Sequence, residues 1–181
     1  MDVLDVLRVA ACIGSQINES LIGYVLGDTV QRPIRNILEQ AAGEGFLVQK
    51  RGSYGFAHDG IQRAVYDCIP EGERDVFHLS IGRRLWNKLD AAELDQNIFV
   101  LLSQVSVGKK LVDRKDERQG LADLCLFAGR KAAKWSVFRV AAIYMHLGIE
   151  FLSGEGWDDK YDLALSLHNG AAEMCLSLIH I

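Results

Sequence analysis

His58 and Asp59 stand side by side in 54-YGFAHDGIQRAVYDCIP-70, where a short aromatic run gives way to an amphipathic one. An imidazole at such a junction can donate a charge-assisted hydrogen bond to an anionic oxygen. A helix beginning at Asp59 adds free backbone N–H groups and the positive end of a dipole. Asp59 is placed to accept from the N–H of Gln62, and Gln62 to reach back; D-x-x-Q before an apolar stripe is the pattern of a capping box. The stripe is Ile61, Ala64, Val65 and Cys68, and Pro70 ends it. The plain alternative is that His58 closes a strand and Asp59 is an ordinary N-cap.

The elements that must position this pair can be read upstream. Apolar residues at Val3, Leu4, Leu7, Ala10 and Ala11 predict a helix over 2–13, stopped by Gly14. A second short helix is expected from Asn18 or Glu19 to Leu26, closed by Gly27. A third begins near Pro33, carries Ile34, Ile37, Leu38, Ala41 and Ala42 on one face, and ends at Gly43-Glu44-Gly45. The period then changes. FLVQKR (46–51) and YGFAH (54–58), joined by Gly52-Ser53, predict a β-hairpin. Three helices followed by a hairpin is the order of a winged helix.

Downstream the pattern is helical throughout. A long helix is expected over 71–89, with Phe77, Ile81, Leu85 and Leu89 at intervals of four, and a further apolar helix over 97–107. VGKKLVDRKDER (107–118) reads as a polar connection. Leu121, Leu124, Cys125, Ala128 and Ala132 line the next helix; Val140, Ala141, Tyr144, Leu147 and Phe151 line its successor. SGEGW (153–157) reads as a turn, and Trp157, Tyr161, Leu165 and His168 open another helix. Small residues at Ala128, Ala132 and Ala141, with Tyr144 and Gly148, suit the helix–turn–helix repeat of tetratricopeptide arrays.

Composition removes several function classes. The net charge of −4, with a sequence pI near 5.7, lacks the basic face of a nucleic-acid binder. Cys12, Cys68, Cys125 and Cys175 are scattered with no CxxC pair, so they read as free thiols rather than a zinc or redox motif. His146 and His168 have no metal-ligand spacing, and Ser15, Ser53 and Ser80 sit in no nucleophile elbow. His78, in VFHLSIGRRL, reads as a packed helix histidine, and Arg83 and Arg84 as a solvated face. Trp86, Trp135 and Trp157 read as packing anchors, and Arg130, Lys131 and Lys134 as the wet side of their helix. There is no G-x-x-x-x-G-K-[ST]: GKK at 108–110 lacks the upstream glycine, Ser103 standing in its place, and GRKAAK at 129–134 lies within a helix pattern. No apolar strand ends in the acidic residues of a Walker B site. No apolar run approaches the ~20 residues that span a bilayer, and a cytoplasmic location is expected.

FAHDGIQRAVYDCIP, then HLSIGRRL, then LADLCLFAGRKAAKWSVFRVAAIYMHLGIEFL and the Trp157–Tyr161 pair together resemble the region after the nucleotide-binding core in signalling ATPases of the STAND class. The look-alikes are multidomain kinases that place an AAA-type ATPase module between a serine/threonine-kinase-like domain and GAF and histidine-kinase domains. The resemblance covers nearly all of residues 3–175. It implies a winged helix packed over bound nucleotide, with a His-Asp pair, the MHD motif of plant immune receptors, reading the β-phosphate of ADP. The matching positions are His58 and Asp59, with Ala57 in place of the methionine and Gly60 where the look-alikes carry a larger residue.

The expected fold is therefore mainly α: a winged-helix domain over 1–70, linking helices over 71–115, and the start of a TPR-like array over 116–175. Residues 176–181, LSLIHI, match the translation of a sequencing adapter and are expected to be a foreign tail. The expected function is a non-catalytic regulatory piece of a signal-transduction ATPase. It would sense ATP or ADP held by an upstream ATPase domain in cis and offer a helical surface to a protein partner, away from membranes and nucleic acid. The alternative is a DNA-binding winged-helix regulator, in which the helix over 32–42 enters the major groove with Arg32, Arg35, Asn36, Glu39 and Gln40. Lys50 and Arg51 on the wing complete a thin set of cations for that task.

Overall fold

The structure, a computed structural model, describes residues 3–27, 29–30, 32–50, 52–153 and 160–179. It is mainly helical, with one small sheet. The chain forms two compact units, Met1–Leu111 and Val112–Ile181.

In the first unit, α1 (Val3–Ile13) buries Val6, Leu7, Val9, Ala10 and Ala11. Its buried face is turned from the expected one, and Leu4 is exposed. The chain then makes a strand that the sequence did not announce, β1 (Gln16–Ile17). In α2 (Glu19–Leu26) the Asn18 side chain caps the start by accepting from Ser20 N–H at 2.8 Å. α3 (Ile34–Gly43) starts one residue after Pro33, which is itself the N-cap. Its end is a Schellman motif: Gly45 N–H bonds Ala42 O, Phe46 N–H bonds Ala41 O, and Gly45 takes a φ of 83°.

That turn delivers β2 (Leu47–Lys50), which pairs antiparallel with β3 (Ser53–Phe56). Ser53 belongs to the strand opposite Lys50, so the turn lies one residue earlier than expected, with Gly52 at φ 76°. β1 adds to the other side of β3, Ile17 opposite Tyr54, giving the order β1-β3-β2. Ile17 and Tyr54 are both buried, and this contact recruits so short a strand.

α4 (Asp59–Asp67) follows the hairpin and packs on α1 and β3. The expected stripe is displaced: Val65 and then Ile69 are buried, while Ala64 and Cys68 face outward. A short 3-10 turn at Glu71–Glu73 leads into α5 (Arg74–Lys88), which pairs with α6 (Ala91–Val107). These two approach closely because Gly82 has no side chain; a Cβ there would lie 2.5 Å from Val105 Cγ2. Ile81, Leu85, Ile98, Leu101 and Leu102 seal the contact. α5 also packs on α2, where Arg84 donates to Val25 O, and Tyr24 donates to the Glu93 carboxylate. α6 touches α1. The helices expected to be linkers thus share the core of the first unit.

α6 starts six residues before the expected 97, because Asp90 and Glu93 form a full capping box. Asp90 accepts from Glu93 N–H at 2.8 Å, and Glu93 accepts from Asp90 N–H at 3.1 Å.

In the second unit, α7 (Lys115–Lys134) and α8 (Phe138–Leu152) form a helical hairpin, and α9 (Tyr161–Ile179) packs on both. Arg118 fastens the start of α7 to the end of α8, donating to Phe151 O at 2.8 Å. Gly148 admits Leu167: a Cβ on it would stand 2.6 Å from Leu167 Cδ2. α9 therefore buries Leu163, Leu167, Ala171 and Met174, and the expected face of Tyr161, Leu165 and His168 is exposed. Trp157 and most of the expected turn at 153–157 lie outside the described residues. α7 ends in a second Schellman motif, Ser136 N–H to Ala133 O and Val137 N–H to Ala132 O, with Ser136 at φ 59°.

Three helix-end substitutions test these assignments in urea unfolding of the whole chain. Asp90→Ala lowers stability by about 1 kcal/mol, whereas Asp59→Ala costs roughly half that or less because only a dipole interaction is lost. Ser136→Gly raises stability by about 1 kcal/mol by relieving the left-handed serine.

Candidate functional site

Ala57 N–H bonds Phe46 O at 3.0 Å and closes the base of the hairpin. The next residue, His58, is still extended, at φ −150° and ψ 144°. It is the N-cap of α4: its Nδ1 accepts from Gly60 N–H at 3.1 Å, and its carbonyl accepts from Ile61 N–H at 2.9 Å and Gln62 N–H at 3.3 Å. The expected Asp59–Gln62 capping box is absent. The extended backbone that ends β3 puts His58, not Asp59, where a cap must stand, and an imidazole nitrogen does the work of a carboxylate oxygen.

The Gln62 side chain turns the other way and donates to Ala11 O at 3.2 Å, tying α4 to α1. A second tie, Arg8 to Cys68 O at 3.0 Å, holds the far end of α4 to the same helix.

The cap decides the chemistry of His58. A nitrogen that accepts from a backbone N–H carries no proton, so the ring proton is assigned to Nε2. His58 is exposed, so Nε2–H is a donor on an open surface. The charge-assisted bond expected from the sequence requires a second proton on Nδ1, which would set two N–H groups against each other and break the cap. Gly60 makes room for this arrangement: a Cβ there would stand 3.3 Å from Nδ1.

Asp59 is exposed at the first helical position. Its carboxylate complements the helix dipole but opposes an anion at the same spot. The first-turn N–H groups of Gly60 and Ile61 already have acceptors, so the helix end offers an anion the Asp59 N–H and the His58 Nε2–H. The pair thus stands at an open junction, with the expected cap made by His58 and not by Asp59.

A cavity of about 240 Å³ lies elsewhere in the first unit, lined by Glu19, Arg35, Gln49, Lys50, Ser53 and Tyr54. It sits at the hairpin tip, and its lining residue Tyr54 is four residues, or ~13 Å of extended chain, from His58. The polar side of α3, proposed by the alternative reading for DNA, is engaged with itself. Arg35 pairs with Glu39 at 3.2 Å, Arg32 donates to Gln40, and Gln40 donates to Glu44. Cations held this way are poorly placed to neutralise phosphates.

Among the described residues no cluster of His, Cys, Asp or Glu could hold a metal, and no helix is long and apolar enough to cross a membrane. Burial pushes the Cys12 thiol up to about 12, with the nearby Arg74 opposing in part. Burial likewise raises Cys125, and Cys68 and Cys175 are exposed. His78 is buried as expected, but it bonds through both ring nitrogens, a feature that its sequence context did not reveal.

No family model matches the chain, and no solved structure matches it. It is similar to a hybrid signal transduction histidine kinase G from Dictyostelium discoideum, 27% identical over 139 residues, which takes in 64% of this chain and 4% of that protein. It is also similar to an uncharacterized protein of Rhizobium meliloti (strain 1021), 31% identical over 90 residues, or 48% of this chain and 8% of that one. The chain spans less than a tenth of the length of either relative.

The thiol assignments predict a sharp division with Ellman's reagent at pH 8. A raised thiol holds less thiolate and reacts more slowly. Cys68 and Cys175 therefore react at once in the folded protein, the half-buried Cys12 reacts more slowly, and Cys125 reacts only at the rate of unfolding.

Proposed function

We propose that this chain is a non-catalytic regulatory region of a signal-transduction ATPase, in which His58 senses a nucleotide held by an ATPase domain of the same longer protein. In this reading α1, β1, α2, α3, β2 and β3 form a winged helix whose wing is the β2–β3 hairpin, and the helices from Lys115 onward begin a TPR-like array for a protein partner. The element order and the antiparallel β1-β3-β2 sheet suit a winged helix. The similarity to a histidine kinase suits signalling, and the small share of that protein which is matched suits a role as one module among many.

The observation that carries the reading is the exposed Nε2–H of His58, held in one tautomer at a strand-to-helix junction. An ADP or ATP phosphate oxygen is an acceptor of matching chemistry, and a neutral donor loses nothing of the cap when it binds. Asp59 serves in this scheme to stabilise the helix start and to keep the site weak for free phosphate. ADP and ATP shift the arrangement only as far as they differ in affinity for its two states.

The test separates capping from sensing in a full-length protein that carries the ATPase core. His58→Asp retains a capping oxygen and places a negative charge where the donor was. Its folding stability stays near wild type, and ADP dissociates about tenfold faster or more, as expected for loss of a hydrogen bond to a charged group. ADP dissociation at the wild-type rate in this variant rules out the sensor, and His58 is then a helix cap alone.

A further inference from the structure

Buried and half-buried polar groups run in series through the first unit. The Tyr66 hydroxyl lies 3.1 Å from His78 Nε2, and His78 Nδ1 lies 2.7 Å from Gln104 Oε1. Gln104 Nε2 donates to Cys12 O at 2.8 Å. The members come from α4, α5, α6 and α1 in turn. His78 is 5% exposed and Gln104 2%, and they are the two buried polar residues among the described ones.

The direction of the chain is fixed at one end. Because the Gln104 amide nitrogen donates to a carbonyl, its oxygen is the atom that faces His78, and an amide oxygen only accepts. His78 Nδ1 is therefore the donor. In the neutral ring Nε2 is then the acceptor, and the Tyr66 O–H supplies its hydrogen. Every group has one role, and none can be exchanged without leaving a buried donor or acceptor unmatched.

α4 depends on such ties. Within the helix Val65 is the sole buried residue, with Ile69 just beyond it. Its packing partners are α1 and β3. The link to α5 runs through side chains: Tyr66 to His78, and Arg74, whose guanidinium lies 4.8 Å above the Tyr66 ring and bonds Ile69 O and Asp67. The Arg74 bonds act at the connecting turn. The Tyr66–His78 bond acts on the body of the helix and continues through Gln104 into α6 and α1.

We propose that the Tyr66–His78–Gln104–Cys12 carbonyl chain is a mechanical coupler that makes α4, the helix begun by His58, move as one body with α5 and α6. The coupler is a property of the first unit and needs no nucleotide, so it stands or falls separately from the sensor reading. His78 and Gln104 are positioning residues in it, and Tyr66 is the point of attachment.

Hydrogen exchange on the whole 181-residue chain tests it. In the wild type, amides in α4, α5 and α6 share one opening reaction. Tyr66→Phe keeps the ring beneath Arg74 and removes the hydroxyl. A triple variant, Tyr66→Phe/His78→Leu/Gln104→Met, replaces the side chains with apolar groups of similar size, so that of the chain's members the part-buried Cys12 carbonyl alone loses a partner. The expected result in the triple variant is a loss of protection of about tenfold in α4, with less than about twofold change in α5 and α6, while Tyr66→Phe, which also leaves the buried His78 Nε2 unmatched, loses at least as much in α4. The urea midpoint of the triple variant, near wild type, shows that stability is not the cause. Any other pattern, whether no change in α4 or an equal loss across the three helices, overturns the coupler.

Discussion

One backbone N–H governs the junction between the hairpin and α4. Gly60 donates it to His58 Nδ1, and from that bond the remaining features follow in order. The ring proton moves to Nε2, the ring is held over a residue that has no side chain to displace it, and the donor faces water. Were Asp59 the cap, the imidazole could turn freely. With His58 as the cap, the residue that ends the strand also begins the helix and presents the polar group. The Asp59 carboxylate stabilises the same helix end while repelling anions from it. A ligand must therefore bring enough contacts of its own to overcome that charge, which suits a group held by another domain better than a free ion.

The parts of this arrangement legible in the sequence are those decided within a few residues. Asn18, Pro33 and the Gly43–Gly45 turn each mark a helix boundary through local chemistry, and the structure has a boundary at each. The hairpin is legible for the same reason. β1 is not, because a pair of residues carries no periodicity and Gln16–Ile17 becomes a strand only through burial of Ile17 beside Tyr54, far along the chain. The capping boxes show how close the competition is. Asp59-x-x-Gln62 and Asp90-x-x-Glu93 have the same pattern, yet the first fails. The residue before Asp59 is already extended and holds an acceptor, whereas Leu89 before Asp90 holds none.

Faces of helices are harder to read than their ends. In α9, Tyr161, Leu165 and His168 share one face, while Leu163, Leu167 and Ala171 share another, and both look apolar. The choice is made by Gly148 and Cys125 on neighbouring helices, which leave a space that Leu167 fills. In α4 the same problem arises with less apolar surface to settle it. Tie by tie, Gln62 to Ala11 O and Tyr66 to His78 orient a helix that hydrophobic burial alone specifies weakly. Nothing near His78 in the chain names its partners, since they lie 12 and 26 residues away.

A helix seated by directional bonds behaves differently from one seated by oil. Apolar contacts fade gradually as two surfaces separate, because each atom pair contributes little. A hydrogen bond deep in the core fails abruptly with distance and angle, and each group left unmatched there costs about 1–3 kcal/mol. A half-displaced α4 would expose little new apolar surface yet would leave Nε2 of the buried His78 ring unmatched at once. Intermediate positions are therefore the least favourable, and the helix is either seated on its ties or released from them. In the proposed coupler, a contact at His58, at one end of α4, would be felt at Gln104 in α6 without passing through a continuum of partial shifts.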